Sequence, residues 1–221
     1  MEVDAIIKTS KEVRDKLKIE LDFMENPIDA TLDPVKPYWG KGEIKLIIIG
    51  QDPTIKNEDG RKEISCTLNL DKNGALKRYI EEDICFSLGF TLENVYATNI
   101  FKYFYTNRPA TTFNVMQSHL NENLNLLVDE LNQFQNATII TLGEPVLRLL
   151  AGTSSRVRYF WDYNQETKIS NGNYSFSLGI DNLLGRDFFP FPHQPSLRKT
   201  FYKNHLNNYI NFVEKVNKRG I

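Results

Sequence analysis

Ile44-Lys45-Leu46-Ile47-Ile48-Ile49-Gly50-Gln51-Asp52-Pro53 is the stretch on which the fold turns. Its short, β-branched apolar run closes on a glycine. That pattern predicts a strand buried on both faces, as in parallel sheets. Three further strands are predicted downstream, over residues 94–100, 137–142 and 187–191. Helical periodicity fills the gaps. Residues 74–88 place Leu76, Tyr79, Ile80 and Ile84 on one face, and residues 114–134 repeat Met116, Leu120, Leu124, Leu127, Leu131 and Phe134 at steps of three and four. A short helix follows Gly143, and Tyr202, Leu206, Tyr209, Val213 and Val216 mark a C-terminal one. Strands alternating with helices predict an α/β fold, a parallel sheet with helices on both faces. Upstream, residues 4–25 carry Ile6, Val13, Leu17, Leu21 and Met24 at helical spacing, and residues 26–42, with Pro27, Pro34 and Pro37, predict a loop. Asn171-Gly172 predicts a hairpin turn between residues 167–170 and 174–178.

The composition narrows the function classes. Of 221 residues, 41% are hydrophobic and 25% charged, enough for a sizeable core and too apolar for a disordered chain. No repeat or composition break divides the chain, so one domain is expected over residues 1–221, with 1–42 as its N-terminal helix and Pro-containing loop. The net charge of −1 excludes a uniformly basic DNA coat protein but not a localised basic face. Two cysteines, Cys66 and Cys85, are too few for a disulfide scaffold or for a four-cysteine zinc or iron–sulfur site. Neither a metal nor a cofactor is expected. The opening Met-Glu-Val-Asp lacks the basic start and apolar run of a signal peptide, and the apolar run Leu46 to Ile49 is far too short for a bilayer. The expectation is a monomeric cytoplasmic protein with no membrane partner.

In a sheet of this kind the ligand site lies at the carboxyl ends of the strands. Four segments are picked out, after Gly50, Asn99, Leu142 and Phe191. Gly50 permits a sharp turn or a close approach, and Asp52 stands at the mouth of the sheet, where a carboxylate positions water, acts as a base or simply caps a turn. Asn99 offers donors and an acceptor for a polar ring edge, or satisfies backbone at the strand end. The segment Lys102-Tyr103-Phe104-Tyr105-Thr106-Asn107-Arg108-Pro109 mixes cations and aromatics without an acid, which suits phosphate contact and base stacking. His193 follows the last strand, where a neutral imidazole can donate to a developing anion. From residue 198 to 219 the basic residues Arg198, Lys199, Lys203, Lys215, Lys218 and Arg219 face a single acid, Glu214. Glu122, Asp129, Glu130 and Glu144 stand without Lys or Arg over residues 111–147. The neutral total therefore hides basic and acidic regions.

Together these motifs resemble the uracil-DNA glycosylase superfamily. Gly50-Gln51-Asp52-Pro53 resembles its first motif, and Val95 to Pro109 resembles the central segment of the thermophile-type branch. Thr141-Leu142-Gly143 resembles its third strand end, and His193-Gln194-Pro195-Ser196-Leu197 its closing motif with Gln194 inserted. The resemblance covers roughly residues 44–212. It implies a three-layer α/β/α fold with a central four-stranded parallel sheet, and an enzyme that hydrolyses the N-glycosidic bond of uracil or a related damaged base in single- or double-stranded DNA. It implies catalytic roles for Asp52 and His193. Gly50, Gln51, Pro53, Thr54, Cys66, Thr67 and Asn99 would bind the flipped base, and Lys102, Arg108, Ser196, Leu197, Arg198 and Lys199 the DNA, with Leu197 as a wedge. The alternative is a non-catalytic nucleic-acid- or nucleotide-binding module on the same fold. Two departures bear on specificity. Thr54 stands where the main branch has a thymine-excluding Tyr, and no aromatic occupies residues 64–68, where the base-stacking Phe should fall. Tyr38, Trp39 and Tyr103 are candidate substitutes. An open, non-aromatic pocket weighs against uracil, and a ring stacked across it weighs in favour.

Overall fold

The computed structural model describes residues 1–20, 27–106 and 113–218. In chain order the elements are α1 (Val3–Glu20), β1 (Ile28–Asp29), β2 (Tyr38–Trp39), β3 (Leu46–Gly50), α2 (Ala75–Arg78), β4 (Val95–Asn99), β5 (Phe104–Tyr105), α3 (Phe113–Leu131), β6 (Thr138–Leu142), α4 (Glu144–Ala151), α5 (Val157–Phe160), β7 (Phe189–Phe191) and α6 (Thr200–Lys218).

The run that opens the sequence reading is the centre of the sheet. Every residue of β3 is buried, as a strand covered on both faces requires. It pairs in parallel with β4, from Leu46 against Val95 to Gly50 against Asn99, and with β6, from Leu46 against Thr138 to Ile49 against Thr141. β7 adds to β6, also parallel. The four expected parallel strands are therefore present in the order β4-β3-β6-β7. The sheet gains a fifth, antiparallel edge strand, β2, beside β4. β1 and β5 form a separate two-residue antiparallel ladder, inside segments whose prolines and mixed polarity suggest only loop. With helices on both faces the architecture is three-layer α/β/α, and its core joins the strands to the inner faces of the helices.

α1 buries Ile6 and Leu17, and its Lys16 reaches Glu122 of α3 at 3.0 Å. Leu21 and Met24 lie outside the described residues. On α3, Met116, Leu120, Leu127 and Leu131 are buried as their spacing predicts. Phe134 lies past the helix and packs on Tyr96 and Trp39. The end of α3 is sealed from a distance. The Arg186 guanidinium donates to the carbonyls of Leu131, Phe134, Gln135 and Ala137 at 2.8–3.1 Å, clasping the turn after α3 and adding a second partner at Leu131 and Phe134, whose oxygens also accept the N–H groups of Phe134 and Ala137. The predicted helix over 74–88 begins as α2, winds as a π-helix over Tyr79–Cys85 and ends in a 3-10 turn, Phe86–Leu88. Among the described residues no helix is long and apolar enough to cross a membrane.

The predicted hairpin around Asn171-Gly172 is corrected. The turn is there, with Gly172 at φ 89°, but its arms do not pair with each other. Ser170 bridges to Tyr163 and Ser177 to Phe188. Asp162 accepts the backbone N–H of Asn171 and of Asn173, so the turn wraps a carboxylate. Tyr174 and Phe176 pack instead against Phe212 of α6. The nearby run Tyr159 to Tyr163 is largely core. Trp161 is buried, stacks on Tyr209 at 4.6 Å and donates to the Pro190 carbonyl at 2.9 Å.

Candidate active site

The carboxyl ends of β3, β4, β6 and β7 open into one cavity of about 450 Å³. Gly50, Gln51, Asp52, Pro53 and Thr54 line it from β3, Asn99 from β4, Leu142 and Gly143 from β6, and His193 and Pro195 from beyond β7. The strand-end rule thus brings Asp52, Asn99 and His193 into a common site.

Two glycines are required here for different reasons. Gly50 does not need a left-handed backbone. It is needed because the Asn99 amide lies against its Cα, and a Cβ added there would sit 2.3 Å from Asn99 Oδ1 and 3.1 Å from Leu68 Cδ2. Gly143 has φ 91°, and a Cβ on it would lie 3.2 Å from His193 Cβ. The β6 exit can pass under the histidine loop only with no side chain and a positive φ. That loop is also held from the 74–88 helix, where the buried Tyr79 hydroxyl donates to the Pro192 carbonyl at 3.3 Å.

Asp52 combines two roles. Its Oδ1 accepts the backbone N–H of Thr54 at 2.7 Å, the Asx-turn cap that aspartate commonly makes, while the residue lines the cavity. Thr54 is fastened in turn, because its Oγ1 accepts the backbone N–H of Tyr105 at 2.8 Å. The Gln51 side chain donates to the Met116 sulfur. Asn99 is 1% exposed, and its Oδ1 has no hydrogen-bond partner. His193 keeps an exposed edge, yet the surrounding protein removes enough water to lower its pKa below the usual imidazole value. Desolvation disfavours the cation, so the ring is held neutral near pH 7.

The wall opposite differs from expectation. Cys66 and Thr67 do not line the cavity. Cys66 is buried, its thiol donates to Asp71 Oδ1 at 3.0 Å, and burial pushes its pKa up to about 11. Thr67 is buried and donates to the Lys36 carbonyl at 3.2 Å. The wall is made by the next two residues, Leu68 and Asn69, both in the left-handed region at φ 59° and 51°. Asn visits that region readily, but for Leu it costs about 1–2 kcal/mol. With Ile55, Ile64, Leu76 and Pro145 these complete the lining, and sequence reasoning missed all of them. The only local signal is Asn69 itself, a residue tolerant of left-handed backbone. No aromatic lines the cavity among the described residues. Tyr103 is buried and accepts from Asn123 at 3.0 Å, Trp39 packs edge-on against Tyr96, and Tyr38 is in the antiparallel edge strand.

Lys102 is corrected as a DNA contact. It is 1% exposed and its Nζ lies 2.5 Å from Glu130, which is itself fully buried. The acid-free look of its segment is misleading, because the neutralising carboxylate comes from α3. Arg108 lies outside the described residues. Ser196, Leu197 and Arg198 sit in a 3-10 turn, Gln194–Arg198, directly after His193. Leu197 is half-buried against the core, while Arg198 and Lys199 are exposed. His119 and His205 sit away from the site. His119 is buried beside Tyr105, whose hydroxyl lies 3.1 Å from Nδ1, and His205 Nε2 accepts the Ser170 N–H at 3.4 Å. Among the described residues no cluster of His, Cys, Asp or Glu is placed to hold a metal ion.

The family model described as the uracil DNA glycosylase superfamily matches residues 37–216. No curated protein matches the chain.

Proposed function

From the premise that this chain belongs to the uracil-DNA glycosylase superfamily, we propose that it hydrolyses the N-glycosidic bond of uracil or a related damaged base in DNA. The observation that carries this reading is the convergence of Asp52, Asn99 and His193 on one cavity. A base inside a duplex is out of reach, so the target nucleotide is flipped into the cavity. The bond between the base nitrogen and the sugar C1′ lengthens, the sugar approaches an oxocarbenium ion and the base leaves carrying negative charge. Asp52 holds the attacking water and offsets the cationic sugar. The water oxygen bonds to C1′ as the C1′–N bond breaks, and its proton passes through solvent to the departing base anion, so that free base and an abasic sugar in the DNA are the products. Asn99 reads the base edge, and the neutral His193 donates an N–H to the departing base's oxygen. A preorganised donor of this kind contributes about 3 kcal/mol. Pro53 and Thr54 shape the entry. Ser196, Leu197, Arg198 and Lys199 meet the DNA beside the flipped base, and the protein acts as a monomer.

The test is incubation with uracil-containing single- and double-stranded oligonucleotides, then alkali to cleave abasic sites. Asp52→Asn and His193→Ala are each expected to lower the rate by about 10²-fold or more, the loss typical of removing a preorganised polar group. Wild-type-like activity in both variants overturns the assigned roles. A second reading is favoured by the aliphatic wall at Leu68, which gives a flipped base no ring to stack on. In that reading the chain is a nucleic-acid-binding module without catalysis. Salt-dependent DNA binding with no base released from a panel of deaminated and oxidised bases selects it.

A further inference from the structure

We infer that the buried Lys102–Glu130 ion pair is the positioning device of Asn99 and sets how sharply the site discriminates between base edges. The inference rests on the reading of Asn99 as the base-contacting amide.

Burying two charges costs several kcal/mol per ion, and well-packed apolar residues often replace such a pair without loss of stability. What an ion pair adds is direction. Here Lys102 and Glu130 are 1% and 0% exposed with Nζ and Oε1 2.5 Å apart. The second carboxylate oxygen, Oε2, accepts the Tyr96 and Thr98 hydroxyls at 2.8 Å each. Those two residues lie on one face of β4, so Glu130 fastens α3 to that strand. Lys102 then carries the fastening to the site, because Nζ donates to the backbone carbonyl of Asn99 at 3.0 Å.

The Asn99 amide depends on this. Its Oδ1 has no hydrogen bond and rests against Gly50 Cα. The orientation of the side chain is therefore inherited from the backbone that bears it. That backbone is tied at successive points. Asn99 O accepts from Lys102, while the N–H groups of Ile100 and Phe101 donate to the carbonyls of Gly50 and Gln51 at 3.0 and 2.9 Å. The last two ties continue the pairing of β3 with β4 past the strand ends. Of these three, the first connects the Asn99 backbone to helix α3 through Lys102 and Glu130.

Lys102→Met alone leaves an uncompensated buried carboxylate and is a poor test of position. Lys102→Met with Glu130→Gln removes both charges and keeps an acceptor for the Tyr96 and Thr98 hydroxyls. In this double variant, with a thermal midpoint close to wild type, kcat on a uracil oligonucleotide is expected to fall about 10²-fold, the loss that follows a misplacement of about 1 Å. KM should change little, and the preference for uracil over cytosine should fall with kcat. In ¹⁵N-labelled protein the Asn99 side-chain amide resonances should shift. Unchanged Asn99 resonances with unchanged discrimination overturn the inference, as does an equal loss on both bases that tracks a lowered midpoint. If wild type releases no base, the glycosylase reading falls, and the Asn99 resonances alone decide whether the pair positions the amide.

Discussion

Gly50→Ala tests the packing of the site most directly, because the substitution adds one carbon where no space exists. Gly50 is outside the positive-φ region, so alanine brings no backbone strain. The new Cβ would lie 2.3 Å from Asn99 Oδ1, and ordinary contact begins near 3.4 Å. The amide must then retreat by about 1 Å, a displacement that costs about 10²-fold in rate, or about 2.7 kcal/mol of transition-state stabilisation at 1.36 kcal/mol per decade. Leu68 Cδ2, at 3.1 Å, belongs to a flexible side chain and yields more easily. Overpacking adds a stability cost of about 1–3 kcal/mol, which lowers the melting temperature by about 2–4 °C per kcal/mol in a chain of this length. The assay is kcat/KM on a uracil oligonucleotide beside a thermal melt, with Gly74→Ala as control, since a Cβ there meets nothing within 4 Å. Wild-type kcat/KM in Gly50→Ala refutes the placement of Asn99 against the glycine.

Stability should also depend on pH through His119, whose pKa burial lowers from 6.5 to about 4. As pH falls the unfolded chain takes up this proton first, so stability is full above about pH 6.5 and declines toward pH 4, by no more than about 3.4 kcal/mol at 1.36 kcal/mol per pKa unit. Urea midpoints at pH 7.5 and 4.5 should show the decline, and His119→Gln should flatten it; a slope of opposite sign refutes the burial argument. On the DNA face, Arg198→Ala and Lys199→Ala should each weaken binding across sequences and reduce the slope of log K against log salt by about 1, measured by fluorescence anisotropy. An unchanged slope removes that residue from the phosphate contacts.

The parts of this protein that were readable in advance are those whose signal is local. The β3 run needs only its own apolar residues to declare a buried strand, and α3 declares itself by its three-and-four spacing. Once the strands are known, the positions of Asp52, Asn99 and His193 follow from chain direction alone. The parts that were not readable depend on partners distant in sequence or on backbone angles. Nothing near Lys102 reveals that Glu130, on a later helix, draws it into the core. Leu68 and Asn69 adopt left-handed angles without a glycine to mark them, so the sequence points to their neighbours Cys66 and Thr67 for the wall. β2 and the β1–β5 ladder have two residues per strand, too few for alternation to register. The turn at Asn171-Gly172 was visible, but the carboxylate of Asp162 inside it was not.

Arg186 has a consequence for the order in which the molecule assembles. Helix α3 precedes β6, yet the carbonyls of its last residue and of the turn after it also accept from a side chain just ahead of β7. The same helix bears Glu130. A nascent chain that has emerged only as far as β6 therefore lacks this clasp on the turn after α3, and β6 still lacks its outer neighbour β7. Contacts of such long sequence separation slow folding and defer its completion until the C-terminal region is available. The site opens onto a sheet whose outer parallel strand, β7, follows every other described strand in the chain, so the pocket is complete only once residues 186–193 have joined the sheet.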